Sequence, residues 1–310
     1  MHTPWGPLSI SDAHVHFFSH GFFQALAAQA PSLRAANIEA TVRGLLNWYP
    51  PQAPEELAAA WVAELDRHGV GRAVLIASVP GDESSVEAAI LRFPDRFWAY
   101  TLVNPLTPGV VARTQAAIQN GGVRGICLFP AMHGYSVADE RVDPLLQLAA
   151  SQPGVVVFVH CGVLSVGIRK KLGLPSRFDM RFSSPLDLHP VALRYPGLPF
   201  IVPHFGAGLF REALMLCDLC PNVYLDTSST NGWTRYLTPP PDLEAVFRQA
   251  LDVAGPERLL FGTDSSFFPR GWHAAIFESQ RDTLHRIGIS AADAAKIFGG
   301  NLERLLRAGS

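Results

Sequence analysis

The sequence predicts an α/β fold, a single (β/α)8 TIM barrel, on three observations. Short apolar, β-rich runs recur along the chain, and each is followed by a stretch whose apolar residues have helical spacing. Eight such runs fit between residue 8 and about residue 286, close to the roughly 250 residues usual for this barrel. Histidines and an aspartate recur at the carboxyl ends of these runs, the face where barrel enzymes assemble their chemistry. All 310 residues are therefore expected to form one domain, since no linker, internal repeat or low-complexity tract divides them.

Strand one is expected over residues 8–13, ending in Asp12-Ala13-His14-Val15-His16. Side chains alternate along a strand, so Asp12, His14 and His16 are expected on one face, where two imidazoles can grip one metal ion. Residues 20–54 then make an extended loop, too long for an ordinary connection. Its aromatics Phe22, Phe23, Trp48 and Tyr49, with the preceding Phe17 and Phe18, pack on the barrel rim or line a pocket. A helix over 54–68 opens with Pro-Glu-Glu, acidic residues suiting the positive end of its dipole, and Gly69 ends it.

Strands two to four are expected at 73–77, 97–103 and 123–129, with helices at 83–92, 110–119 and 144–150. The uninterrupted β-branched and aromatic run 155–160 reads as a strand buried on both faces. After it comes an insertion, 161–184, carrying Arg169, Lys170, Lys171, Arg177 and Arg181; it reads as a solvated loop or as a lid that attracts an acidic substrate. Later helices are expected at 185–194, 209–219 and 242–253, and later strands at 200–202, 223–226 and 259–261. Ser290 suits the N-cap of a helix ending at Gly299-Gly300.

Composition narrows the functional classes. With 48% hydrophobic and 17% charged residues the chain can bury a large core, and a formal charge of −2 gives no basic patch for nucleic acid or a membrane surface. Neither a basic stretch followed by an apolar core at the start nor a run of about eighteen apolar residues appears, so a cytoplasmic protein is expected. Cys217 and Cys220 form Cys-x-x-Cys, but a closed zinc site wants a second close pair; Cys127 and Cys161 stand alone, so packed, reduced thiols are expected.

His14 and His16 end strand one, His160 strand five, His204 strand six and Asp264 strand eight. Imidazoles with one carboxylate suit one borderline divalent ion, zinc foremost with manganese as alternative, and leave a coordination position open. His14, His16, His160 and Asp264 are assigned to the metal, and His204 to acid/base work alongside Asp264. Asp12 is expected to be structural, and Asp226, ending strand seven, to hold a hydrogen bond behind the ligands. Trp48, His133, Arg177, Arg181 and Arg270 are candidates for substrate binding.

The pieces Asp12-Ala13-His14-Val15-His16, Val159-His160-Cys161-Gly162, Pro203-His204-Phe205-Gly206, Tyr224-Leu225-Asp226-Thr227-Ser228, Arg258-Leu259-Leu260-Phe261-Gly262-Thr263-Asp264 and Gly299-Gly300-Asn301-Leu302-Glu303-Arg304-Leu305-Leu306 together resemble the amidohydrolase superfamily. The resemblance is to its amidohydrolase-related branch, which includes aminocarboxymuconate-semialdehyde decarboxylase, and it covers nearly the whole chain in the family's order. It implies the same ligand set, a small-molecule substrate and, as in many relatives, a homodimer. Binuclear members bridge two metals through a lysine or glutamate at strand four; here that strand reads Val123-Arg124-Gly125-Ile126-Cys127-Leu128-Phe129, which favours one metal. Hydrolysis through metal-activated water is the leading expectation. Non-oxidative decarboxylation of an aromatic or unsaturated acid is the alternative, and a catalytically silent ligand-binding barrel the third reading.

Overall fold

A computed structural model describes residues 1–29, 38–50, 53–176, 178–228 and 232–307. Eight parallel strands form one sheet in sequential order: β1 Ser11–Phe17, β2 Arg72–Ala77, β3 Phe97–Val103, β4 Gly125–Leu128, β5 Val156–Val159, β6 Phe200–Val202, β7 Val223–Asp226 and β8 Leu259–Leu260. The segment after β8 closes the ring onto β1. Ala13 N donates to Phe261 O at 2.8 Å, Asp264 N to His14 O at 3.0 Å and His16 N to Ser265 O at 2.7 Å. The nearly closed (β/α)8 barrel expected from the sequence is therefore present.

Two apolar layers hold it. Inside the barrel, Val74, Ile76, Tyr100, Leu102, Phe158, Ile201 and Leu260 pack together; outside, the other strand face meets the helices through residues such as Leu75, Val157, Phe200 and Phe261. Alternation along each strand thus feeds two cores, which is why the strands read as unbroken apolar runs. Helices Pro54–His68, Glu83–Arg92 and Val110–Gln119 fall where their spacing places them, the first stopping at Gly69 in the left-handed conformation.

Several elements differ from the expectation, and the stretches expected as loops hold helices His20–Ala27, Ile38–Leu46 and Gly167–Lys171. β1 lies at Ser11–Phe17 and so contains both histidines instead of ending at them. The stretch expected as one helix after the insertion is a 3-10 turn, Pro185–Leu188, followed by a helix, His189–Arg194. Ser290 does cap a helix, accepting from Asp293 N, but the chain passes through a π turn, Lys296–Gly300, into a further helix, Asn301–Arg307. At that turn Gly299 presses against the start of β1, where an added Cβ would lie 3.0 Å from Ser9 O and 3.1 Å from Ser11 N.

Above the barrel the long connection after β1 packs against the insertion after β5. Phe22, Phe23, Leu26, Val42 and Trp48 form a third apolar cluster with Ile168 and Leu174, and Arg169 Nη1 donates to Gln29 Oε1 at 2.6 Å. The insertion therefore sits as a cover on the mouth. Cys127, Cys161, Cys217 and Cys220 are buried free thiols. Among the described residues, no helix is long and apolar enough to cross a membrane.

Candidate metal centre

A bulge in β1 shapes the site. Its pairing with β2 shifts register between Asp12 and Val15, so Ala13 joins the barrel interior while Val15 and Phe17 join the outer core. Asp12 is consequently not on the histidine face, contrary to the strict alternation expected. Its carboxylate accepts from His14 N (2.9 Å), Thr263 N (3.1 Å), Thr263 Oγ1 (2.6 Å) and Trp272 Nε1 (2.7 Å), pinning β1 to the chain beyond β8. Burial pushes this carboxyl up to about 6 despite those bonds.

His14, His16 and Asp264 converge at the mouth, one ligand atom from each lying within 4.8 Å of the others. His14 Nε2 and His16 Nε2 are 3.4 Å apart, and Asp264 Oδ1 is 3.7 Å from the first and 3.3 Å from the second. The donor set fits a divalent cation. A tetrahedral site with metal–nitrogen bonds of about 2.0–2.1 Å has edges of about 3.3 Å. Each imidazole also has its other nitrogen tied back: His14 Nδ1 donates to Asp226 Oδ2 at 2.6 Å, and His16 Nδ1 lies 2.9 Å from Ser78 Oγ. That leaves both Nε2 atoms facing a carboxylate oxygen, the arrangement ligand histidines show.

The electrostatics favour positive charge there. Burial opposes protonation of His14, but the Asp226 carboxylate outweighs it and raises the imidazole's pKa; burial lowers that of His16. For Asp264, burial works upward, yet the neighbouring histidines His16, His14 and His204 hold the carboxyl far below the usual range. Asp264 sits at φ 58°, in the left-handed region uncommon for a non-glycine residue, a strain typical of functional positions. Glycine at 262 leaves room for the pair behind the ligands, since a Cβ would lie 2.8 Å from Asp226 Oδ1 and 3.0 Å from His14 Cβ.

Replacing Asp226 with asparagine removes the anionic acceptor behind His14. Divalent metal affinity is expected to fall roughly 10–100-fold, measured by competition with a chromophoric chelator.

His204 and His160 stand beside this cluster, their rings 5.4 Å apart, with His204 5.1 Å from the ring of His14. His204 Nδ1 lies 3.2 Å from Ser228 O and 2.9 Å from Ser228 Oγ. A carbonyl only accepts, so Nδ1 carries the proton and Nε2 is the ring's acceptor. Burial lowers the pKa of His204 and, more strongly, that of His160, so both are neutral near pH 7. His160 is stacked on Phe129 with a buried Nδ1 that has no partner among the described residues, and it stands outside the three-residue cluster.

A cavity of about 530 Å³ opens over the cluster, lined by His14, His16, His160, His204 and Asp264, aromatic residues Phe18, Phe22, Trp48, Phe129 and Phe267, and the cations Lys171, Arg235 and Arg270. Trp48 and Arg270, two of the candidates for substrate binding, are thus on its wall. Trp48 stacks on Phe267 at 3.8 Å, with Lys171 over the tryptophan and Arg270 over the phenylalanine. Arg270 Nη2 also donates to Asp264 O and Ser266 Oγ. Arg181, a candidate for substrate binding, is instead exposed and paired with Asp179 two residues back, because its short 3-10 turn, Met180–Phe182, keeps it outside. Arg177 lies outside the described residues.

His133 also misses the cavity. It ends the four-residue helix Pro130–His133 and lies parallel to the Tyr135 ring, with burial pushing its pKa down to about 4. Such a histidine stabilises the fold while neutral, and that contribution is lost as pH falls from about 6.5 toward 4. His133→Phe is expected to reduce the loss of stability between pH 7.5 and pH 5 by about 1 kcal/mol, after discounting for partial exposure, as read from urea midpoints.

Ser78, Ser228 and Arg235 are among the site residues that sequence reasoning left without a role. Ser78 directly follows the last residue of β2, as His160 directly follows β5, and that signal was available.

An eightfold barrel carrying a histidine–carboxylate cluster at its carboxyl mouth, with the family match over residues 11–308, supports an enzyme of the metal-dependent hydrolase or carboxy-lyase type. The chain belongs to the amidohydrolase family, whose sequence model matches residues 11–308. It is similar to protein fluG of Emericella nidulans at 31% identity over 105 residues; the match spans 34% of this chain and only 12% of that protein. Among solved structures, 5-carboxyvanillate decarboxylase from Sphingomonas paucimobilis superposes with a TM-score of 0.64 at 15% identity, covering 97% of this chain and 100% of that one. A probable 2-pyrone-4,6-dicarboxylic acid hydrolase from Acinetobacter baumannii gives 0.62 at 15% over 97% and 100%. An amidohydrolase from Burkholderia multivorans with bound zinc gives 0.61 at 17% over 97% and 99%. At these identities the likeness is one of fold.

Proposed function

We propose that the chain is a mononuclear metal-dependent hydrolase of a small organic acid. The observation that carries this reading is the state of His204: with its proton held on Nδ1 by the Ser228 carbonyl, it offers Nε2 as an acceptor beside the ligand cluster. A neutral, buried imidazole so oriented takes a proton from water, which hydrolysis requires. His14, His16 and Asp264 hold the ion in this reading, with His160 completing the set. A divalent cation, zinc by preference, supplies Lewis acidity toward water and the substrate carbonyl when bound. Asp264, ionised, shares the proton handling with His204. One metal is favoured because β4 contributes Cys127, a thiol that burial and Asp226 keep protonated, where binuclear relatives have a bridging side chain.

Lys171 and Arg270 support the acidic character of the substrate, since Asp264 is the one carboxylate among the described residues lining the cavity. The same pair favours a second reading, decarboxylation of an aromatic or unsaturated acid, in which the cations hold the carboxylate and protonated His204 delivers the proton to carbon. Screening lactones, esters and aromatic carboxylic acids, with acid release and carbon dioxide release both recorded, separates the two. Acid release is expected; carbon dioxide release alone would select the second reading. His204→Gln is expected to lower turnover by roughly 10²–10⁴-fold with metal content unchanged, and unaltered turnover would remove its proton role.

A further inference from the structure

We infer that Ser78 is a positioning residue that sets the tautomer and ring orientation of His16 for cation binding. The inference rests on reading the mouth cluster as a metal centre. Ser78 Oγ lies 2.9 Å from His16 Nδ1, and its own hydroxyl donates to Ile76 O at 2.9 Å. A serine hydroxyl has one proton, and a backbone carbonyl has none to return. Once that proton is committed to Ile76 O, the serine oxygen meets His16 only as an acceptor. Nδ1 of His16 must then carry the imidazole proton, and Nε2 presents its lone pair toward His14 Nε2 and Asp264 Oδ1.

The two ligand histidines are thereby held by different means. His14 is fully enclosed and backed by a carboxylate at 2.6 Å, whereas His16 is one-fifth exposed and backed by a neutral hydroxyl. The opposite tautomer of His16 would place an N–H on Nε2, satisfied by Asp264 Oδ1 at 3.3 Å, and would close the cluster to a cation. Only the bond at Nδ1 selects against it. Ring packing does not make that choice, because Phe18 beside His16, with ring centres 5.6 Å apart, is indifferent to which nitrogen is protonated.

The test uses the full chain, stripped of metal, with zinc or cobalt ion alone as the probe. Ser78→Ala and Ser78→Val should weaken binding roughly 10–100-fold in a chelator competition, while Ser78→Thr, which has the shape of valine but keeps the hydroxyl, should stay within about threefold of the unsubstituted chain. Nitrogen-15 resonances of the His16 ring in the metal-free protein supply a readout that a merely structural role would not move. They should report the Nδ1-protonated form in the unsubstituted chain and the Thr variant, and a mixture in the other two. Equal cation affinity in the Val and Thr variants, or an unchanged tautomer in the Ala and Val variants, would overturn the inference. An unsubstituted chain that binds neither ion would overturn the metal-centre reading, and this inference with it.

Discussion

A chain in which His14 and His16 are both replaced by alanine is expected to retain no divalent ion after gel filtration and to lose at least about 10³-fold in turnover. The substitutions remove two of the three groups whose ligand atoms converge, leaving Asp264 with only the more distant His160 to assist it. They also strip the Asp226 carboxylate, buried in the barrel, of its imidazole partner. An unpaired charge in that position costs several kcal/mol, so the variant's stability is to be measured alongside. The single His16→Ala change, which leaves the His14–Asp226 pair intact, is the gentler control, and the same loss of metal is expected from it. Elemental analysis of protein purified without chelator reads the result. Full metal content in either variant would place the ion elsewhere.

The largest effect on stability is expected at a residue that touches neither the cavity nor the ligand atoms. Asp12→Ala leaves four donors without their acceptor: the amides of His14 and Thr263, the Thr263 hydroxyl and the Trp272 indole. Each unsatisfied buried donor costs about 1–3 kcal/mol, but relaxation and water entry recover part of the sum. A loss of about 3–5 kcal/mol in urea unfolding is the expected outcome. Asp12 joins the bulged start of β1 to the chain beyond β8, so the damage should fall on barrel closure and carry His14 and Asp264 with it. A change under about 1 kcal/mol would mean that the seam is held by its backbone bonds alone.

Much of this arrangement was legible in the sequence. Period and composition located the strands because each barrel strand faces two apolar layers, and Phe97–Val103 and Phe200–Val202 fall where the residues alone place them. The chemistry was legible because the barrel gathers the residues that follow strand ends, so His14, His16, His204 and Asp264 could be grouped without knowing a distance. What the sequence hid was local. The bulge that turns Asp12 outward has no residue signature in Ser11-Asp12-Ala13-His14, and strict alternation placed it with the histidines.

The basic insertion misled for a similar reason. Arg181, Arg177 and Lys171 are equivalent as charges, and only the path of the loop makes Lys171 the cavity residue while Arg181 turns back to Asp179. His133, also a candidate for substrate binding, is carried by its short helix to the ring of Tyr135. Ser78 and Ser228 were passed over because hydroxyls are common, and their importance lies in which histidine nitrogen they meet.

The central claim is that His14, His16 and Asp264 form one metal centre. Crystals of the chain grown with zinc, measured on either side of the zinc absorption edge, test it most directly. The account predicts one strong anomalous peak per chain, within about 2.0–2.2 Å of His14 Nε2, His16 Nε2 and an Asp264 oxygen. A peak held by other residues, or none at that position in crystals soaked to saturation, would contradict it.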